Sequence, residues 1–393
     1  MASQTTEAAD SLVSVRRRGL RTGYTTGACA AAAALAASML IDGRDTKAVT
    51  IRLPIGIDAT FHLESLHGQK GVWAFASVIK DAGDDPDVTH GAEIGCRVEA
   101  QYGGNRIYSY AWRVVSNGTI ARNAAGIDIE LKAGQGVGIV TRPGLGIPVN
   151  GPAINPVPRR MIVRSVLQGF FVTKPSRVIV EVSVVNGESL ALKTLNPRLG
   201  ILGGLSILGT TGIVRPYSTA AWKASVLQGV DVAAANSCDV IVASTGGRSE
   251  AYAKRLYPQL PDVAFVEMGE FTKHILSQAV ARGIKKVILA GMIGKLSKIA
   301  CGHLVTHAAG NRVDVAYLAD LCQQLNAKST VIQQVRKANT ARHVQDIVIR
   351  SGPMELFNAV CQQAKHVCEQ FVSSALEVEV LMFDFEGNIL GRT

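Results

Sequence analysis

The chain has 393 residues, 47% hydrophobic and only 18% charged, with 39 glycines; that is enough apolar material for two cores and excludes a disordered chain or a coiled coil. A net charge of +10, from 41 Lys and Arg against 31 Asp and Glu, calls for an anionic partner. Aromatic residues are only 5% and the cations are scattered, which argues against a stacking surface for single-stranded nucleic acid.

Residues 1–19 are polar, without a basic-then-apolar leader pattern, and read as a flexible tail. LRTGYTTGACAAAAALAA follows from Leu20. Thr25 and Thr26 stand where a helix N-cap is expected, and alanine is the strongest helix former. Such an end offers unpaired N–H groups and a positive dipole to an anion, with Arg21 just upstream. The competing reading is a buried packing helix whose threonines only cap. The apolar run 28–41 is too short for a membrane span, and Asp42 and Arg44 follow it directly.

Strands are predicted over 48–53, 59–63, 72–80, 93–100, 107–115, 127–131 and 176–186, with a helix over 161–168. The stretch 141–160 carries five of the 13 prolines and reads as a rigid, irregular surface. This part is expected to be an α+β domain over 20–196. Near Pro197 the rhythm changes. Helices are predicted over 216–235, from Gly247 through Lys254, over 271–281, from Lys295, and from beyond Asn311 through Arg342. Strands alternate with them over 239–243, 263–267 and 286–290, with a last one over 376–385. That alternation, each strand closing on glycine, predicts an α/β domain over 197–393 with a parallel, Rossmann-like sheet.

Two glycine turns, Gly209-Thr210-Thr211-Gly212 and Ser244-Thr245-Gly246-Gly247, suit a nucleotide-like cofactor, and Glu267 lies where an acid binds ribose hydroxyls. Neither turn is a GxGxxG or a phosphate loop, so NAD and ATP are disfavoured. Ordinary strand-to-helix turns explain both equally well. The loop Asp84, Asp85, Asp87 and His90, stiffened by Pro86, would hold a cation, move a proton or simply form an acidic turn. His303 and His307 are four apart but lack a third ligand, so no zinc site is expected. Seven cysteines at irregular spacings, with no CxxC, predict reduced thiols in a cytoplasmic protein. No GxSxG elbow or Cys–His pairing suggests a covalent nucleophile.

Six stretches, in order, resemble the CbiD family of cobalt-precorrin-5B C1-methyltransferases of anaerobic cobalamin biosynthesis. They are LRTGYTTGACAAAA from Leu20, GDDPDVTHG from Gly83, RPGLGIPVNGPAINPVPRRM from Arg142, GTTGIVRPYS from Gly209, STGGRSE from Ser244 and GMIGKLSKIACGHLVTH from Gly291. The resemblance implies methyl transfer from S-adenosylmethionine to C1 of an anionic corrinoid, which brings its own cobalt, with no metal held by the protein. It implies cofactor contacts at Gly209, Thr210, Thr211, Gly212, Ser244, Thr245, Gly246, Gly247 and Glu267. Substrate contacts are expected at Arg21, Thr25, Thr26, Arg142, Arg159, Arg160, Arg215, Lys295 and His307, and acid–base work at Asp84, Asp85, Asp87 and His90. Where the family commonly shows GHxGK, this chain has Gly291-Met292-Ile293-Gly294-Lys295, and Met292 exchanges no proton. Asn150-Gly151 likewise replaces a common Gly-Glu pair. Neither nucleic acid nor membrane is expected as a partner; a homo-oligomer is compatible with the sequence. The alternatives are an NAD-dependent oxidoreductase and a non-catalytic binder of anionic ligands.

Overall fold

The computed structural model describes residues 19–103, 113–115, 118–122, 127–306 and 313–393. The chain divides into two compact units after Ser218, not near Pro197. Residues 197–218 stay with the first unit because their short strands pair back into it. Ile201–Leu202 joins Ile139–Val140, Gly204–Leu205 joins Gly136–Val137, and Ile213–Val214 joins Gly23–Tyr24.

The first unit is built on the alanine helix Thr26–Ile41. Thr25 is its N-cap, with Oγ1 accepting from the Ala28 N–H at 3.2 Å, and every helical residue except Met39 is buried. A helix apolar on all sides belongs inside a core, and small side chains let neighbours approach from every direction. It packs on the strands Ser65–Gln69, Trp73–Ile79 and Glu93–Gln101 and on the helix Pro156–Gly169. Those strands open a seven-stranded sheet that continues through Arg177–Val184, Asp128–Ala133, Gly118–Arg122 and Arg113–Val115. All pairs are antiparallel except Arg177–Val184 with Asp128–Ala133. Period-two alternation places Val178, Val180 and Val182 in the core with Ile94, Cys96 and Val98. Most of the expected strand 107–115 lies outside the described residues. The helix begins at Pro156, earlier than expected, because proline is well suited to a first helical turn that needs no N–H.

The second unit holds a five-stranded sheet in the order Phe265–Glu267, Val240–Ser244, Lys286–Met292, Glu377–Phe383, Ile389–Arg392. The first four strands are parallel, and the last is antiparallel at one edge. Both faces are covered. Ile241, Val287, Leu289 and Val380 face a core shared with Val230, Ile275 and Val360, while Val242, Ile288 and Leu381 meet Ala253 of the helix Gly247–Leu256. Both faces being dry explains why these strands read as continuous apolar runs. The helical region after residue 313 is three helices, Val315–Gln324, Ser329–Arg336 and Ala341–Ser351. A fourth, Glu355–Phe371, was not predicted from the sequence.

Candidate functional site

Four of the six sequence stretches converge at the N-terminus of the alanine helix. Thr22 bridges Gly83, and Gly23 and Tyr24 pair with Val214 and Ile213. The approach is close enough that a Cβ on Gly23 would run into the Ala82 backbone, and one on Gly83 into that of Arg21. Gly83 also has φ +69°, which only glycine adopts without strain. On the other flank Ile154 bridges Ile207, and the Gly27 N–H donates to the Leu208 carbonyl at 3.0 Å.

This convergence corrects the expected carboxylate seat. Thr25 and Thr26 are only 5% and 3% exposed. The Thr26 hydroxyl accepts from the Leu208 N–H at 2.9 Å and lies 3.3 Å from the Ser206 carbonyl. The helix end is thus already occupied by the protein's own turn, Gly209 lying against Thr25.

The acidic loop is equally committed. Asp81, not singled out from the sequence, pairs with the Arg21 guanidinium, whose hydrogen bonds hold its carboxyl down at about 2. Arg21 is therefore paired internally. Asp84 accepts from the Arg21 N–H at 2.6 Å, and Asp85 from the Tyr217 N–H at 2.8 Å. Asp87 accepts from Lys80 Nζ at 2.7 Å and from the Thr89 N–H and hydroxyl at 2.8 and 2.7 Å. Lys80 is 1% exposed. Burial alone would raise the Asp87 carboxyl, but the Lys80 ammonium and the Thr89 donors outweigh it and hold it below its ordinary value. His90 is exposed and accepts at Nδ1 from the Ala82 N–H at 3.1 Å. In these bonds Asp84 and Asp85 each use one oxygen, and His90 one nitrogen. Among the described residues, no group of three or more His, Cys, Asp or Glu is arranged to hold a metal ion.

The arginines separate into two kinds. Arg159 is 4% exposed; its Nε donates to the Ile154 carbonyl at 2.6 Å, and burial pulls its pKa down to about 10. It fastens the proline-rich loop. Arg142 lays its methylenes over Gly200, and Arg215 is exposed. Arg160 is exposed on the same helix face as Arg164, one turn on. These two and Arg52 line a cleft of about 230 Å³, walled by Ile51, Val157 and Met161 and reached by Thr210. Arg164 and Arg52 were missed; the i, i+4 spacing of Arg160 and Arg164 was the available signal.

The Gly209–Gly212 turn therefore lies in the first unit, where Gly212 packs on Leu53 and the Thr211 hydroxyl bonds Ile213. It does not close a strand of the five-stranded sheet. Ser244, Thr245, Gly246, Gly247 and Glu267 do lie at carboxyl ends of that sheet. The chain passes from Val240–Ser244 to Phe265–Glu267 on one side and then to Lys286–Met292 on the other, so a crevice opens after Ser244 and Met292. Gly246 is extended and a Cβ there would meet nothing within 4 Å. The Ser244 hydroxyl is buried with no hydrogen-bond partner among the described residues. Lys295 donates to the Thr245 carbonyl and, at 3.2 Å, to that of Gly269. Burial lowers its pKa. Lys295, an expected substrate contact, thus ties two strand-end loops together. His307 lies outside the described residues.

The family model described as CbiD matches residues 13–216, and one described as CbiD, C-terminal domain, matches 305–393. A cobalt-precorrin-5B C(1)-methyltransferase from Priestia megaterium is 42% identical over 95% of this chain and 96% of its own. Its namesake from Rubrobacter xylanophilus is 44% identical over 96% of this chain and 92% of its own. A solved structure titled cobalamin biosynthesis protein (cbiD), from Archaeoglobus fulgidus, is 26% identical, covers 72% of this chain and 81% of its own, and has a TM-score of 0.36.

Proposed function

This chain belongs to the CbiD family, and from that premise we propose that it methylates C1 of cobalt-precorrin-5B, giving cobalt-precorrin-6A in anaerobic cobalamin biosynthesis. What carries the reading is the near full-length likeness to relatives of that name. S-adenosylmethionine supplies an electrophilic methyl group; C1 supplies the electron pair of the new bond, and the sulfur–methyl pair returns to sulfur. Such a transfer needs no nucleophile on the protein, and the chain's task is positioning.

In our reading the second unit is a Rossmann-like domain whose crevice takes the methyl donor. Gly246 and Gly247 let the ligand approach the backbone, and Glu267 faces its ribose. Lys295 holds the carbonyls of Thr245 and Gly269 in place. In the first unit, Arg142, Arg160 and Arg215 meet the carboxylates of the corrinoid, because Arg21 and Arg159 are engaged within the fold. His90, exposed and bonded through Nδ1, is the group of the acidic loop that we assign to give or take a proton at the macrocycle. Asp84, Asp85 and Asp87 shape that loop.

Titration calorimetry tests the cofactor assignment. S-adenosylhomocysteine is expected to bind, and NAD and an oligonucleotide are not. No heat with S-adenosylhomocysteine, even with corrinoid present, would overturn it. Appearance of the C1-methylated product from cobalt-precorrin-5B tests the activity itself.

A further inference from the structure

We infer that the cleft lined by Arg52, Arg160 and Arg164 is a two-carboxylate subsite, which takes the neighbouring acetate and propionate groups of one pyrrole-derived ring of the substrate. The inference rests on the corrinoid reading and extends it from Arg160 to Arg52 and Arg164, which no motif singled out. Arg160 and Arg164 stand one turn apart on Pro156–Gly169, so their guanidinium groups emerge side by side on one face. Both are exposed, and among the described residues neither has a carboxylate partner. Two like charges held next to each other at a cleft repel, and an arriving dianion relieves that repulsion. Arg52, from the strand Ala48–Arg52, adds a third cation to the lining, held at 3.2 Å by Asp58 through one nitrogen only.

The walls suit the remainder of such a ligand. Ile51, Val157 and Met161 offer an apolar surface for a ring edge, and Thr210 offers a hydroxyl at the rim. Adjacent carbons of a pyrrole ring bear their acid side chains on one edge. Two fork-shaped donors on successive turns can therefore each donate bidentately to one carboxylate. A single carboxylate would satisfy one arginine only, so the subsite distinguishes a polycarboxylate ring from a monoacid.

The test compares Arg160→Gln, Arg164→Gln and the double variant with the wild-type enzyme. Both side chains are exposed, so folding is expected to survive; unchanged thermal melting would check this. For the double variant, KM for cobalt-precorrin-5B should rise roughly tenfold or more, the scale of losing one or two charge-assisted pairs. Its kcat and its affinity for S-adenosylhomocysteine should stay within about twofold. Arg164→Lys should recover only part of KM, because an ammonium cannot grip bidentately. Unchanged KM in the double variant would overturn the subsite while leaving the methyltransferase reading intact. Uroporphyrin, a stable ring with an acetate and a propionate on each pyrrole, supplies an activity-free readout by fluorescence titration. If wild-type enzyme makes no product, the functional reading fails and the uroporphyrin arm decides the subsite. Weaker uroporphyrin binding by the double variant would then support it, and equal binding would overturn it.

Discussion

Asp87→Ala tests whether the acidic loop is structural. Lys80 is 1% exposed, and its ammonium meets the Asp87 carboxylate at 2.7 Å. Removing the carboxylate strands that charge and deprives the Thr89 N–H and hydroxyl of their acceptor. Stranding a buried charge costs about 3–5 kcal/mol, but the Asp87 side chain is 25% exposed, so entering water reduces this toward about 2–3 kcal/mol. Against a typical total of about 5–15 kcal/mol, such a loss is easily read by urea denaturation. The pH dependence has a definite sign. The folded carboxyl lies below its unfolded value, so its stabilisation is complete above the unfolded reference of about 3.9 and fades as pH falls through the folded value. The gap between wild type and variant should therefore be wide at pH 7 and narrow in acid. Lys80→Met combined with Asp87→Ala should regain most of the loss, since no charge is then left stranded. A single-variant loss below about 1 kcal/mol at pH 7 would refute the reasoning, as would a double variant no more stable than Asp87→Ala.

Thr25→Ala should cost about 1 kcal/mol as a lost cap, measured by chemical denaturation, and leave KM for the corrinoid unchanged; a raised KM would restore Thr25 as a substrate contact. Gly246→Val should fold normally, because a side chain there meets open space, yet lose detectable calorimetric binding of S-adenosylhomocysteine. Retained affinity would move the methyl donor elsewhere. Lys295→Met should weaken that same binding roughly tenfold by freeing the Thr245 and Gly269 carbonyls, and an unchanged Kd would show that those loops hold without it.

Much of the architecture was legible because period and punctuation are local signals. Alternating valines marked Arg177–Val184, and glycine-closed apolar runs marked the parallel strands. The end of the first unit was not legible. It depends on three two-residue strands whose partners lie far earlier in the chain, and so short a strand carries no period of its own. Site residues followed the same division. The Ser244–Gly247 turn was found at a strand end from sequence alone. The occupation of Thr25, Thr26 and Arg21 was invisible, because the partners Leu208 and Asp81 come from distant segments and look unremarkable in sequence. Arg159 and Arg160 are adjacent letters, yet one is buried under the proline loop and the other lines a cleft, since neighbours on a helix point to different faces.

The alanine helix is made early and completed late. It occupies Thr26–Ile41, but its partners end at Gln101 and Gly169, and the parallel pair beside its sheet waits for Val184. The hairpin of Ser65–Gln69 and Trp73–Ile79 covers one flank of the helix early, but the flank that meets Pro156–Gly169 stays open until that helix leaves the ribosome. Folding of the first unit therefore ends on a long-range closure, with the slow kinetics and aggregation risk that distant contacts bring. A chain stopped before Pro156 would leave one flank of this segment uncovered, which makes the N-terminal half a poor candidate for separate expression.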